Sequence, residues 1–328
     1  MDPLSKARPS YEDVLAASKR LYNIAVKTPL IENNYLNELV GGRVFLKAET
    51  LQHTGSFKFR GAYNFLAQLN ESHKKNGVVA YSSGNHAQGV AAAAKLLKIK
   101  ATIIMPSDAP SIKLNQTRIL GAEVITFERE KENREEIASN FSKKTGSTII
   151  PPYDHPWTIS GQGTVGAEII DKLDRIGLYA NRILICCGGG GLTAGIATVV
   201  SEKSPASEII VVEPVGYDDT TRSLKERKIL KNKIKTKSIC DALLAQSPGN
   251  LTFSINKELV SGGIAVTDED VIKAMSFSWK YLKLVVEPSG AVALAAILKH
   301  KKHFSKLTSV VILSGANVDP VFYSKVIK

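Results

Sequence analysis

The stretch Cys187-Gly188-Gly189-Gly190-Gly191-Leu192-Thr193-Ala194 follows a β-branched apolar run (183–187) and opens a helix-period segment (192–203). Four consecutive glycines let backbone N–H groups converge at a helix N-terminus, where the helix dipole also favours an anion. Strand, glycine-rich turn and helix in that order form the repeating unit of an α/β fold. The unit recurs outward in both directions. Short β-branched runs stand at 44–47, 78–81, 101–105, 123–127, 208–212 and 309–313. Helix-period segments accompany them at 57–69, 87–97, 112–120, 134–144, 159–173, 268–282 and 291–299. This rhythm predicts mainly parallel, twisted sheets flanked by helices, with ligands beyond the carboxyl ends of the strands.

A chain of 328 residues is long enough for about two domains, and 44% hydrophobic with 23% charged residues excludes a disordered or fibrous protein. No apolar run reaches membrane-spanning length, and the N-terminus lacks the apolar core of a secretory signal. Cys186, Cys187 and Cys240 make neither a disulfide framework nor a zinc site. A cytoplasmic protein with no membrane contact is expected. Lys and Arg number 43 against 31 Asp and Glu, a net charge of +12, densest at 225–237 and 299–306. Neither cluster is interleaved with stacking aromatics, so the charge reads as solvated surface and nucleic acid is not an expected partner.

The glycine loop alone leaves its phosphate unidentified. Gly189-x-Gly191-x-x-Ala194, with Glu213 closing the next strand, fits a dinucleotide fingerprint and an NAD-dependent oxidoreductase. Three further blocks bear on the choice. Thr54-Gly55-Ser56-Phe57-Lys58-Phe59-Arg60-Gly61 sets a lysine at a helix start, suited either to plain surface or, because the dipole disfavours the ammonium there, to a nucleophilic amine able to form a Schiff base. Ser82-Ser83-Gly84-Asn85-His86-Ala87-Gln88-Gly89 offers hydroxyl, amide and exposed N–H groups at another helix start, suited either to a carboxylate or to simple capping. Ser314-Gly315-Ala316-Asn317-Val318-Asp319 is a turn after an apolar strand.

In this order and spacing the four blocks resemble the fold type II pyridoxal-phosphate enzymes, and among them the threonine/serine dehydratase and serine racemase family. The Pro151-Pro152-Tyr153-Asp154-His155-Pro156 run through Thr164, and Glu287-Pro288-Ser289-Gly290-Ala291, extend the resemblance over nearly the whole chain. It implies a two-lobed molecule, with residues 1–78 and 151–328 forming a large cofactor-binding domain and 79–150 a small mobile one. By resemblance, Lys58 would bind pyridoxal 5'-phosphate covalently and later remove the substrate Cα proton. Phe57 would pack on the ring, Asn85 would bond its 3′-oxygen, Ser314 would meet the ring nitrogen, and Gly188, Gly189, Gly190 and Gly191 would hold the phosphate.

The resemblance further implies that Ser83, Gly84, Asn85 and His86 bind the substrate carboxylate. Ser83, an alanine in many dehydratases, would also be the second base of a racemase. Arg134, with Arg129 close by, matches a substrate-side arginine suited to a second carboxylate. Glu213, Tyr217 through its carbonyl, and Asp219 match a loop for Mg2+ or another divalent cation, two carboxylates and a carbonyl being hard oxygen ligands. Ile239-Cys240-Asp241-Ala242 departs from the family's A-D-G. Only nine residues follow Asp319, so a catabolic role fits better than a feedback-controlled one. The expected activity is dehydration of L-threonine or L-serine to a 2-oxo acid and ammonia. Serine racemisation and 3-hydroxyaspartate dehydration are the alternatives. The substrate is a small hydroxy amino acid and the assembly a homodimer.

Overall fold

In the computed structural model the described residues are 7–82, 84–109, 111–128, 130–233 and 237–327. Among them ten strands are formed: β1 (Leu30–Glu32), β2 (Arg43–Ala48), β3 (Val78–Tyr81), β4 (Ala101–Pro106), β5 (Glu123–Phe127), β6 (Thr148–Ile149), β7 (Arg182–Cys186), β8 (Glu208–Pro214), β9 (Gly262–Val266) and β10 (Thr308–Leu313). Six build one sheet in the order β1-β2-β10-β7-β8-β9, and four build a second in the order β5-β4-β3-β6. Every pairing of these strands is parallel except β1 with β2. The seven strands expected from β-branched runs are all present, within a residue or two at their ends.

Strand order decides where ligands go. In the large sheet, β7, β8 and β9 run to one side and the chain then crosses back to place β10 on the other side of β7. In the small sheet, β3, β4 and β5 run to one side and β6 returns beside β3. Each reversal opens a crevice at the carboxyl ends of its strands, because the two flanking connections leave in opposite directions. The crevices receive the glycine loop after β7, Ser314 after β10, Asn85 after β3 and Pro152 after β6.

The helix Gly191–Lys203 is buried along its first ten residues and Pro288–Lys299 along its first ten, both in the large apolar core with β7 and β10. Their apolar residues on all faces are those of helices packed between other elements. The helix Lys58–Leu66 contributes Phe59, Phe65 and Leu66 to the core of the small sheet, alongside Val78, Ile103 and Met105. It crosses the helix Pro156–Arg175 at Gly61 and Gly161, where a Cβ on Gly161 would stand 2.7 Å from the Gly61 Cα. No helix among the described residues is long and apolar enough to cross a membrane.

Candidate active site

A cavity of about 460 Å³ lies where the two crevices meet, and Phe57, Lys58, Asn85, Gly188 to Gly191 and Ser314 all line it. All four sequence blocks are represented in that lining. Cys187 N–H is paired with Val212 O at 3.0 Å, so the chain leaves the sheet immediately before the glycines. Gly190 then takes φ +91°, in the left-handed region that favours glycine, and caps the helix Gly191–Lys203. The loop's amides and the helix N-terminus form an anion cradle.

Lys58 stands at the start of its helix with Nζ 2.7 Å from Pro152 O and 5.1 Å from the Phe57 ring centroid. Burial pulls its ammonium down to about 8. The sequence pointed to the helix dipole as the cause; desolvation is the larger one. Ser314 closes the opposite wall, bonded to the Cys186 thiol, which burial raises to about 11. Its backbone carbonyl accepts from Phe57 N–H at 3.1 Å, tying the residue before Lys58 to the end of β10.

The Pro151–Pro156 run reads in the sequence as a boundary, and the structure makes it a hub. Pro152 supplies the carbonyl for Lys58. Tyr153 packs so close that a Cβ on Gly189 would overlap its ring and one on Gly191 would meet its Cβ and backbone. Asp154 caps the helix Asn250–Leu259 by accepting from the N–H groups of Asn250, Leu251 and Thr252 at 3.0, 2.9 and 3.0 Å. That helix returns Thr252 Oγ1 to Gly189 O at 2.7 Å and Asn256 Nδ2 to Gly190 O at 3.3 Å. The loop is therefore held from behind while its amides face the cavity.

Glu287 is the site residue that the sequence left unassigned. It is buried, lines the cavity, and accepts from Asn85 Nδ2 at 2.6 Å, while Asn85 Oδ1 accepts from Asn317 Nδ2 at 2.8 Å. Burial, with the charge of Asp241 added, raises its carboxyl to about 8. The Glu-Pro-Ser-Gly-Ala run held the signal, since a glutamate just before a proline-started helix has no capping bond of its own.

Gly84 and Asn85 begin the helix Asn85–Leu96, whose first-turn N–H groups lack intrahelical partners and suit a carboxylate. His86 contributes no side chain to it: Nε2 lies 2.9 Å from Ile150 O, and burial lowers the ring to about 3, leaving it neutral. Its other ring nitrogen, Nδ1, is buried with no partner among the described residues. Ser83 and Arg129 lie outside the described residues. Arg134 does not line the cavity; it is exposed, with its guanidinium 5.6 Å from the Tyr81 ring centroid at the end of β3.

Glu213 does not face the glycine loop's ligand as a ribose-binding acid would. It is fully buried, accepting from Thr220 N, Thr221 N and Thr221 Oγ1 at 2.9, 2.7 and 2.6 Å. Burial, then the nearby Asp219, raises it to about 8, and burial raises Asp219 to about 6. Asp219 Oδ2 is buried with no hydrogen-bond partner among the described residues. Two desolvated carboxylates, one with an orphaned oxygen, fit a hard cation. Tyr217, whose N–H pairs with Pro214 O at 3.0 Å, is buried in the turn between them.

Against known proteins, the pyridoxal-phosphate dependent enzyme family matches residues 22–315. A serine racemase of Schizosaccharomyces pombe is 42% identical over 312 residues, 95% of either chain. An L-threo-3-hydroxyaspartate ammonia-lyase of Pseudomonas sp is 40% identical over 320 residues, 97% of this chain and 98% of that one. The crystal structure of a T.th. threonine deaminase superposes with a TM-score of 0.90 at 41% identity, over 95% of this chain and 99% of that one. A lysine with a lowered pKa facing a glycine anion cradle across one cavity is what such a cofactor requires, and with these matches it follows that the chain belongs to the pyridoxal-phosphate dependent enzymes.

Proposed function

We propose that this enzyme is an L-threonine/L-serine dehydratase (ammonia-lyase) with some serine racemase activity, acting in the cytoplasm on small hydroxy amino acids. The observation that carries the reading is the convergence of Lys58, the glycine cradle, the first-turn amides of Asn85–Leu96 and Ser314 on one cavity. The cradle would hold the phosphate of pyridoxal phosphate, Phe57 and Asn85 its ring, and Ser314 its nitrogen. When bound, the cofactor supplies an electron sink for a carbanion at Cα. A hydroxyl at the ring nitrogen does not stabilise a protonated ring as a carboxylate would, so the sink is weak and prompt loss of a β-hydroxyl is favoured over transamination.

The chain's own residues supply the rest. The Asn85–Leu96 helix start, with Ser83, orients the substrate carboxylate. Lys58 Nζ takes the Cα proton, which its lowered pKa permits near neutrality. The β-hydroxyl departs as water, taking up one proton for the one removed from Cα, and the enamine left behind adds water to give a 2-oxo acid and ammonia. Ser83 on the opposite face would return a proton to Cα and invert it. A second reading, 3-hydroxyaspartate dehydration, is supported by the 40% identical L-threo-3-hydroxyaspartate ammonia-lyase rather than by Arg134, which lies outside the cavity.

Mg2+ or another divalent cation, held by Glu213, Asp219 and the Tyr217 carbonyl, is part of the proposal, as is a small lobe over 79–150 that closes on substrate. So is a homodimer. Its support is an exposed aromatic pair, Tyr35 and Tyr281, 45% and 38% exposed, whose rings stack at 4.6 Å. The test of the chemical assignment is Lys58→Ala: 2-oxo acid formation from L-threonine and L-serine should fall at least about 10⁴-fold while cofactor still binds the cradle. Undiminished turnover removes Lys58 from the mechanism.

A further inference from the structure

The basic connector that follows the acidic loop returns one side chain to it. Asn232, 8% exposed, lies in a stretch otherwise rich in surface lysine. Its Nδ2 donates to Asp219 Oδ1 at 2.5 Å and to Ala245 O at 2.9 Å, and its backbone N–H donates to Gln246 O at 2.8 Å. Its Oδ1 accepts from Arg222 Nη2 at 2.6 Å, so all the polar groups of the carboxamide are engaged. One residue therefore clamps a carboxylate of the acidic loop to the backbone at 245–246.

That backbone leads directly into the cofactor cavity. Ala242 and Leu243 line the cavity, Ala242 N–H donates to Ser289 Oγ at 3.0 Å, and Asp241 pairs with Lys113 of the helix Ser111–Ile119 at 2.7 Å. The segment 241–246 is thus anchored at one end to the cavity wall and the small-sheet side, and at the other to Asn232. Among the described residues the short 3₁₀ turn Asp241–Leu243 gives it little regular structure of its own, so its placement depends on these anchors. Asp219 gives Oδ1 to Asn232 and keeps Oδ2 buried with no partner among the described residues, available to a cation.

We propose that Asn232 is a positioning residue that transmits cation occupancy at Glu213 and Asp219 to the rim of the cofactor cavity. The inference rests on the divalent-cation reading of that loop. A cation ligated by Oδ2 relieves the repulsion between two buried carboxylates and fixes the Asp219 carboxylate, so Oδ1 holds Asn232 and, through it, Ala242 and Leu243 against the cofactor. By linkage, a cation that raises the affinity for cofactor must itself be bound more tightly when cofactor is present.

The test uses the cofactor-loaded enzyme. Manganese binding is measured from the free Mn2+ electron paramagnetic resonance signal. Cofactor release into a trapping protein is followed by absorbance with and without Mg2+ at concentrations saturating each protein. In the natural enzyme Mg2+ should slow release by at least about 5-fold. Asn232→Ala should bind Mn2+ and yet release cofactor at a rate that Mg2+ no longer changes. Asn232→Ser, too short to span Asp219 and Ala245, gives the same readout should the alanine variant fail to fold. An unaltered Mg2+ response in a folded variant that binds Mn2+ overturns the relay, as does a natural enzyme that binds Mn2+ without any effect on release. Failure of the natural enzyme to bind Mn2+ at all overturns the cation reading itself, and the relay with it.

Discussion

Lys58 owes its reactivity to what surrounds it rather than to its place in the chain. Its identity as the amine was legible from the S-F-K-x-R-G run, but its partner, Pro152 O, is a backbone carbonyl that no residue type announces. The pKa near 8 has a direct consequence. The neutral amine is the form that captures cofactor, and it dominates above the lowered pKa and vanishes below it. Reconstitution of the cofactor-free enzyme should therefore quicken about tenfold per pH unit up to about 8 and level off beyond it, measured by stopped-flow absorbance. Continued acceleration toward pH 10 would show that the lysine titrates as in water. For Ser83, the prediction concerns a ratio. Ser83→Ala should depress D-serine formation by about 10²-fold or more while elimination changes much less, and equal losses in both would end the two-base account.

At the scale of elements, the helix carrying Lys58 is pinned by a buried ionic cluster two residues beyond it. Arg60 donates to both oxygens of Glu49 at 2.8 Å and to both of Glu168 at 2.7 and 3.0 Å, and Lys47 reaches Glu168 at 2.5 Å. Arg60, Lys47 and Glu49 are each 1% exposed or less. Two cations and two carboxylates balance, so the cluster holds as a unit, and removing one member strands a buried charge. Arg60→Met should lower stability by about 3–5 kcal/mol in denaturant unfolding. A loss under about 1 kcal/mol would mean that Glu49 simply takes up a proton. Long periodic helices and β-branched strands were readable in advance. β6 was not, because two residues carry no period, and β9 was not, because Gly262 and Gly263 carry no β-branched signal. The helix expected over 268–282 stops at Phe277 and continues as a π turn, Ser278–Leu282, that displays Trp279 and Tyr281 on the surface. Hydropathy spacing does not distinguish the two.

At the scale of the molecule, each sheet contributes its reversal of strand order, and the site is the place where the two reversals face each other. The sequence blocks were visible singly, yet their convergence depends on β6 and on the order of β10 beside β7, which only the assembled sheets display. The exposed aromatic pair belongs to this scale too. Tyr281→Glu places a charge in the proposed dimer contact and should weaken self-association by at least about 30-fold in sedimentation equilibrium. A natural enzyme that sediments as a monomer would remove the dimer from the account. The central claim, hydroxy amino acid elimination at Lys58, is tested most directly by one product assay on the cofactor-loaded enzyme. L-serine and L-threonine are supplied separately, and 2-oxo acid and D-serine are quantified in the same tube. The account predicts 2-oxo acid from both substrates in excess over D-serine. D-serine in equal or greater amount, or no product from either amino acid, would contradict it.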